Sequence, residues 1–594
     1  MATAELRAAE AGVGADRVLI TEGHITEERY LEALSVWLGL PFETLEGHSR
    51  PDCPLPDERM IEAGANGMLP LTINGDIKIL LAPPLVDSRR LVKVVRSGSD
   101  LTQRIRITST ERLRRFVVQH GSDEIERRAA DALRSRRPDL SAAGGQPNAL
   151  WLIPVTGIAA LAAVTAPAAA MVAVEILLGV VFLAWTGLRL LGSLSKRLIR
   201  CGPQTVTDDA LPAYTIVVAL YREVAAAEGL IRTLSELHYP KEKLQVILAL
   251  EPDDHVTRDA LTQFMPSAFE IVVAPEGGPR TKPKALNAAL PFVRGKYVAV
   301  YDAEDRPEPD QLLVACEAFA ANDTKLACVQ ARLTIDNTSD SWLTRLFTAE
   351  YAGLFDVFLP GLAVWQLPLP LGGSSNHFRT DILRKVGAWD PYNVTEDADL
   401  GMRLARFGYR TAVIPSTTYE EAPVKFGPWL RQRTRWCKGW LQTWFVHMRS
   451  PVRLARELGL PGFAVFQLIV GGTVLAALVH VLFVVEFLRE LATTPDIASS
   501  SMFHFYTVTL IAGYLASIGI AIVGLWRRQL MSCSWVLLFM PIYWLMLSFA
   551  AWRALIQLVR DPYHWEKTEH GLAKTSRRAA IRIAEFRRHG AKRR

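Results

Sequence analysis

Four short clusters between Glu251 and Trp436 hold the residues whose types and spacing could do chemistry. Glu251-Pro252-Asp253-Asp254 follows an apolar run. Its carboxylates, Glu251 and Asp253 first, could accept hydrogen bonds from the base and ribose of a nucleotide; a solvated acidic turn is the plainer reading. Asp302 and Glu304 alternate in Tyr301-Asp302-Ala303-Glu304-Asp305. On extended chain both can face one side and hold a hard divalent cation, Mg²⁺ or Mn²⁺, that bridges to a diphosphate; a carboxylate-rich turn is the alternative. Thr395-Glu396-Asp397 reads as a helix start, with Thr395 as N-cap and acids in the first turn. Capping does not prevent Asp397 from facing a cleft as a general base. In Gln432-Arg433-Thr434-Arg435-Trp436, Arg435 can pair with phosphate and Trp436 offers a flat face to a sugar ring. Membrane anchoring by Trp and Arg is the alternative there. Lys282 and Lys284 open a helix after Glu276-Gly277-Gly278, where charge and helix dipole suit phosphate, although a solvated basic turn would look the same.

These clusters need strands and helices to position them. Tyr214–Leu220 is a β-rich run, Glu223–His238 a loop and helix, and Leu244–Leu250 a second strand. Strand, helix, strand is a parallel unit with a nucleotide-sized crevice at its carboxyl ends. Lys296–Val300 is a further strand that leads into the Asp302 cluster. Between Trp429 and Met448, tryptophans alternate with Arg and Lys, which suits an amphipathic helix lying in a membrane interface.

The surroundings are apolar. Half of the 594 residues are hydrophobic, and the mean hydropathy is +0.14, with the excess gathered in a few runs. Ala149–Ala166 and Ala168–Leu191, separated by Pro167, are each near the about 20 residues needed to cross a bilayer. Arg189, Lys196, Arg197 and Arg200 place the end of the second run in the cytoplasm, and the N-terminal region with it. Pro461–Leu488, Phe505–Trp526 and Leu530–Val559 follow the chemical region. Three crossings would put the basic tail from Lys574 outside, so the last run, interrupted by Pro541, is expected to be a broken or re-entrant pair of helices. Nucleic acid is not expected as a partner, because the basic tail follows membrane runs. Six scattered cysteines without a CxxC argue against a disulfide framework or zinc site. Met1–Asp16 has no apolar core and does not read as a signal peptide.

Residues 1–120 read as a small α/β domain. Ile25–Leu38 is an amphipathic helix ended by Gly39-Leu40-Pro41, and Met68–Leu71 and Ile77–Ala82 are strands around Asn74-Gly75-Asp76. This stretch resembles the N-terminal domain of type II secretion and pilus-assembly ATPases. Some relatives of that domain bind cyclic di-GMP; here their pattern is only partly present, around Asp16-Arg17-Val18-Leu19, and docking of a partner protein or oligomerisation is the other reading.

The four clusters, in their order, resemble the family 2 membrane glycosyltransferases, the cellulose-synthase-like and hyaluronan-synthase-like group. Asp302 and Glu304 match its DxD, Thr395-Glu396-Asp397 its TED, and Gln432, Arg435 and Trp436 its QxxRW. Trp565–Gly571 also looks like the end segment of bacterial β-glucan synthase-like members. The resemblance implies an α/β GT-A (Rossmann-like) catalytic domain embedded between transmembrane helices, beside the small α/β N-terminal domain. It implies a UDP-sugar donor, most simply UDP-glucose, and a growing polysaccharide acceptor that is extended with inversion and passed across a bacterial inner membrane. In that scheme Asp397, with Thr395 and Glu396, is catalytic and Asp302 and Glu304 hold the metal. Glu251, Asp253, Lys284, Asp302 and Arg435 meet the nucleotide sugar, and Gln432 and Trp436 the acceptor. Three departures stand out. Glu251-Pro252 replaces the usual Asp-Asp, Glu304 replaces an Asp, and Pro370–Arg379 replaces the acceptor loop with its Cys-Gly pair. A non-processive transferase acting on a lipid carrier, or an inactive nucleotide-sensing membrane receptor, would share much of this pattern. The expected organisation is a 1–120 regulatory or docking domain, a 121–148 linker, a 149–191 hairpin, a 192–428 catalytic domain, 429–460 interface helices, 461–560 membrane helices and a 561–594 basic tail.

Overall fold

The structure is a computed structural model and describes residues 2–83, 88–96, 100–143, 164–194, 207–266 and 268–561. Most of the Ala149–Ala166 run, Lys196, Arg197, Arg200, Trp565–Gly571 and the basic tail lie outside the described residues. The chain forms two compact units. The first comprises Met1–Ala132, Pro203–Ala303 and Phe378–Asp381; the second comprises Leu133–Gly202, Glu304–His377 and Ile382–Arg594.

In the first unit, the N-terminal helix runs over Glu27–Leu38. Thr26 caps it by accepting from the Arg29 amide at 3.3 Å, and Gly39 ends it at φ 66°. Strands β1 (Met68–Ile73) and β2 (Asp76–Leu81) pair antiparallel. Asn74 and Gly75 both take positive φ between them, the geometry of a tight hairpin. β3 (Ile105–Ile107) adds to β2 in parallel. Met60, Leu69, Leu71, Leu80, Leu113 and Phe116 form a core there. The larger sheet of this unit contains β4 (Tyr214–Leu220), β5 (Leu244–Leu250), β6 (Phe269–Val273) and β7 (Tyr297–Tyr301), all parallel, in the order β6-β5-β4-β7. The inner strands are continuous apolar runs because both faces are covered. β4 and β5 thus pair in parallel with helix Ala227–Ser235 between them in sequence, as the strand–helix–strand pattern predicts.

The second unit holds β8 (Arg306–Pro307), β9 (Leu326–Ile335), β10 (Asn376–Arg379, whose last two residues belong to the first unit) and β11 (Arg410–Glu420). β9 and β11 are parallel, and β8 runs antiparallel to β11. Among the described residues, five helices are long and apolar enough to cross a membrane: Pro167–Ser193, Trp342–Val364, Pro451–Thr493, Ser501–Arg527 and Met531–Arg560. Trp342–Val364 was not among the expected runs, and it is the most buried of the five. Pro451–Thr493 breaks at Gly459, φ 70°, two residues before the Pro461 at which the expected run begins. The Leu530–Val559 run is broken, as expected, into two helical segments of unequal kind. Met531–Phe539 is a tight 3₁₀ stretch, and Met540–Arg560 is one 21-residue helix with Pro541 in its first turn, where a missing amide costs nothing. Helices 167–193 and 359–364 touch backbone to backbone: a methyl at Gly361 would lie 2.0 Å from the Gly192 carbonyl oxygen.

The helix expected over Trp429–Met448 spans Phe426–His447, but it does not present a polar face outward. Gln432, Arg433, Thr434, Lys438, Gln442, Thr443 and His447 are all buried. Arg433 is answered by Glu350 and Thr443 by Asn393, so the polar side of this helix packs within the unit and not outward as an interfacial amphipathic helix would. Cys53, Cys316, Cys328, Cys437 and Cys533 carry free thiols.

Candidate functional site

In the first unit, three acids follow β5 and are used differently. Asp254 is buried and structural: it caps helix His255–Phe264 by accepting from the Thr257 amide at 3.2 Å and also accepts from the Arg222 amide. Asp253 is partly exposed and accepts from Arg280 Nη1 at 3.1 Å and from the Tyr221 hydroxyl at 3.4 Å. Glu251 is only 6% exposed, and its Oε2 has no hydrogen-bond partner among the described residues. Burial pushes its carboxyl above the ordinary value, against the pull of Lys284 and Arg280. A buried, unanswered carboxylate oxygen is costly unless something fills the place.

Helix Lys282–Ala289 starts after the Glu276-Gly277-Gly278 turn, as expected, but its two lysines have different surroundings. Lys284 is fully buried, and its ammonium donates to the Pro275 carbonyl at 2.6 Å and to the Gly277 carbonyl. Burial lowers its pKa, with Glu251 opposing. The expectation that Lys284 meets phosphate is thus corrected: its donors are turned to the chain's own backbone. Lys282 is the more accessible of the pair and forms an ion pair with Asp302. Asp302 therefore already holds a cation, one carried on a side chain.

In the second unit, Glu304 is half-buried. Asp305, which drew no role from the sequence, is buried and accepts from the Ser374 hydroxyl. That bond joins the acidic segment to the Pro370–Ser375 loop. Ser375 continues the network by donating to Thr418 Oγ1 at 2.6 Å, and Gln311 donates to the same Thr418 oxygen at 3.1 Å. The loop so fixed carries Gly373. A methyl on Gly373 would stand 3.2 Å from Asp397 Oδ2, a tight contact, so the loop lies directly against the carboxylate.

Asp397 lies in the first turn of helix Glu396–Arg406, half-buried like Glu396, and its Oδ1 accepts from the Ala398 amide at 2.7 Å. Thr395 occupies the N-cap position, but its side chain makes no capping bond, which corrects the capping expectation. Asn393 Oδ1 instead accepts from the Thr395 amide at 3.1 Å, and Asn393 Nδ2 donates to Thr443 Oγ1 at 3.0 Å. The Thr395 side chain is pressed against Gly439 of helix 426–447, where a methyl would lie 2.4 Å away. The helix with Gln432, Arg435 and Trp436 and the segment with Thr395, Glu396 and Asp397 are thus joined directly within one unit. Asp399 is spent on structure, accepting from Arg403 Nη2 at 2.8 Å and lying 3.1 Å from His447 Nε2, all buried.

Arg435 and Trp436 are half-buried; Gln432 is buried, with Oε1 lacking a hydrogen-bond partner among the described residues. The Trp436 ring is stacked near Tyr351 at 6.5 Å and 25°. Between Gln432 and Arg435 sits Arg433, which sequence reasoning left without a role. It is bidentate to Glu350 at 2.8 and 2.7 Å and donates to the Tyr543 hydroxyl at 3.0 Å. Its guanidinium lies 4.3 Å from the Phe347 ring centroid and 4.6 Å from that of Trp436. Arg433 thereby pins the Trp436 ring from one side.

Residues 297–559 match the family described as Glycosyl transferase family group 2. The chain is 26% identical over 233 residues to the probable glycosyltransferase YdaM of Bacillus subtilis, covering 39% of this chain and 55% of that protein. It is 27% identical over 307 residues to the β-monoglucosyldiacylglycerol synthase of Synechocystis sp., covering 48% and 62%. It is 26% identical over 235 residues to the poly-β-1,6-N-acetyl-D-glucosamine synthase of Staphylococcus aureus, covering 39% and 56%. The chain spans little more than half the length of the curated relatives it matches. Among solved structures, the mannosyltransferase PcManGT from Pyrobaculum calidifontis, in complex with GDP-Man and Mn²⁺, aligns at 19% identity and a TM-score of 0.41, over 65% of this chain and 99% of that one.

Proposed function

We propose that this protein is a membrane hexosyltransferase that polymerises a UDP-sugar, UDP-glucose in the simplest case, into a β-linked polysaccharide with inversion and passes the product across a bacterial inner membrane. The catalytic units would then face the cytoplasm. The observation that carries the reading is the join between Asp397, under the Gly373 loop, and the helix bearing Gln432, Arg435 and Trp436. It supports an acid and an acceptor platform held in fixed register.

In this reading the Trp436 face seats the acceptor sugar, Gln432 orients it, and Asp397 takes the proton from the acceptor hydroxyl as that oxygen attacks the anomeric carbon. The diphosphate leaves on the opposite face, its charge met by Arg435. Glu251 and Asp253 receive the nucleoside, and Lys284 braces the turn beside them. Asp302 and Glu304 offer hard oxygen ligands and would hold Mg²⁺ or Mn²⁺. Among the described residues no three His, Cys, Asp or Glu side chains converge, so the remaining ligands would be diphosphate oxygens and water. The metal, when bound, supplies charge neutralisation for the leaving diphosphate. The Lys282 ammonium on Asp302 fits that place, since a cation already balances the carboxylate there.

The test uses inverted membrane vesicles holding the full chain, a panel of UDP-sugars, and Mg²⁺ or Mn²⁺. UDP-glucose-dependent UDP release with a high-mass, glucanase-sensitive product is the expected outcome. No release with any donor, with or without cyclic di-GMP, overturns it. A second reading, transfer of one sugar to a lipid, is favoured by the likeness to β-monoglucosyldiacylglycerol synthases. Release accompanied only by a lipid-soluble glycolipid would decide for it.

A further inference from the structure

Helix Ser122–Arg136 follows the small N-terminal sheet in sequence, and its residues up to Ala132 belong to the first unit. One stripe of it touches the turn that precedes the Lys282–Ala289 helix. A methyl at Gly277 would stand 1.6 Å from Glu126 Oε1, so the glycine backbone and the carboxylate are in direct contact. One turn further along the same face, a methyl at Gly278 would lie 3.1 Å from the Ala130 β-carbon. Between them, the Ala129 carbonyl accepts from Asn287 Nδ2 at 3.0 Å. Residues spaced three and four apart on one helix thus hold both glycines of the turn and the helix that follows. Ala129 and Ala130 are small and buried, which permits this approach. The gripped turn is the one whose carbonyls, Pro275 and Gly277, take the Lys284 ammonium. Lys284 in turn is a charge neighbour of both Glu126 and the buried Glu251.

We propose that Glu126 is a positioning residue for the nucleotide pocket: through Gly277 it fixes the 275–278 turn and Lys284, and so makes the affinity for a nucleoside diphosphate depend on the N-terminal region. This rests on the reading that Glu251, Asp253 and the 275–284 segment receive the donor's nucleotide. The N-terminal region would therefore be part of the donor-binding machinery and not only a docking module. The sign of the effect separates positioning from simple charge. Glu126 is a negative group near an anion site, so Coulomb's law alone says that removing its charge tightens nucleotide binding. Positioning says that removal loosens it.

The experiment titrates UDP and GDP against the purified full chain in detergent by calorimetry and measures the donor KM and kcat in vesicles. Glu126→Gln and Gly277→Ala, the second of which must displace the carboxylate, are each expected to weaken UDP binding by about tenfold. The donor KM should rise in proportion with kcat unchanged, and Glu126→Asp should recover part of the loss. Asp123→Asn, which removes the same charge from an exposed position on the same helix, is expected to change nothing. Unchanged or tighter UDP binding in Glu126→Gln and Gly277→Ala overturns the proposal while leaving the donor reading intact. A wild-type chain that binds neither nucleotide overturns both. An equal loss in Asp123→Asn also overturns it, since the effect would then be one of helix charge.

Discussion

Glu251–Asp254 and Glu396–Asp399 are two four-residue strings with three acids each, one in either unit. They divide labour in the same way. The last acid of each is buried and structural: Asp254 caps a helix, and Asp399 is locked to Arg403 and His447. The middle acid of each, Asp253 or Asp397, stays within reach of solvent. The first acids differ. Glu251 is buried with an unanswered oxygen, whereas Glu396 remains half-buried in a helix's first turn. The difference fits the two proposed tasks. A site that recognises a ligand can leave a dry acceptor waiting for a donor, while a site that moves a proton needs an acid open to the substrate hydroxyl.

The sharpest way to break this comparison is to neutralise the middle acids one at a time. Asp397→Asn should reduce transfer by about 10²–10⁴-fold with nucleotide binding retained, whereas Asp253→Asn should raise the donor KM by only a few-fold. UDP release and calorimetry on both variants check this; comparable kcat losses would erase the distinction. The last acids come next. Asp399→Ala leaves Arg403 buried without its partner and should cost about 3–5 kcal/mol, read as loss of the monodisperse peak on heating in detergent. Asp254→Ala, by comparison, should cost about 1 kcal/mol, the usual value of a cap, in the same assay.

A smaller effect is set by pH. Asp390 is buried, accepting from Ser141 Oγ at 3.1 Å and from the Ala142 and Tyr392 amides. Burial, with Asp399 nearby, raises its pKa from 3.8 to about 6. A carboxyl raised in the folded state favours the protonated fold, so its stabilising contribution is whole below pH 3.8 and is lost as pH rises through 6. Lowering the pH from about 7 to about 5 should return about 1 kcal/mol to the wild type relative to Asp390→Asn. Parallel thermal-stability curves for the two proteins over that window would contradict the assignment.

Much of this was legible in the chain. The parallel β4–β5 pair, the helix ended at Gly39 and the hairpin at Asn74-Gly75 follow from local rules, and local geometry bears them out. What could not be read came from distance. Arg433 looks like any basic residue of a Trp-rich helix until Glu350 and Tyr543, 83 and 110 residues away, close on it. The polar side of helix 426–447 was assigned to an interface for the same reason, since its partners Glu350, Asn393 and Asp399 lie far off in sequence. Lys282 and Lys284 differ only in which way one helical turn points them, and the carbonyls that claim Lys284 belong to a turn whose shape depends on two glycines.

The contact between Gly439 and Thr395 has a consequence for mutational tolerance. With only 2.4 Å between a β-carbon at 439 and the Thr395 side chain, no other residue enters without prising the Thr395–Asp397 segment away from helix 426–447. A saturation library selected for glycosyl transfer should therefore retain glycine alone at 439, while the neighbouring half-buried Trp440 accepts other apolar residues. Drift along this helix would be written in the residues around a single silent position.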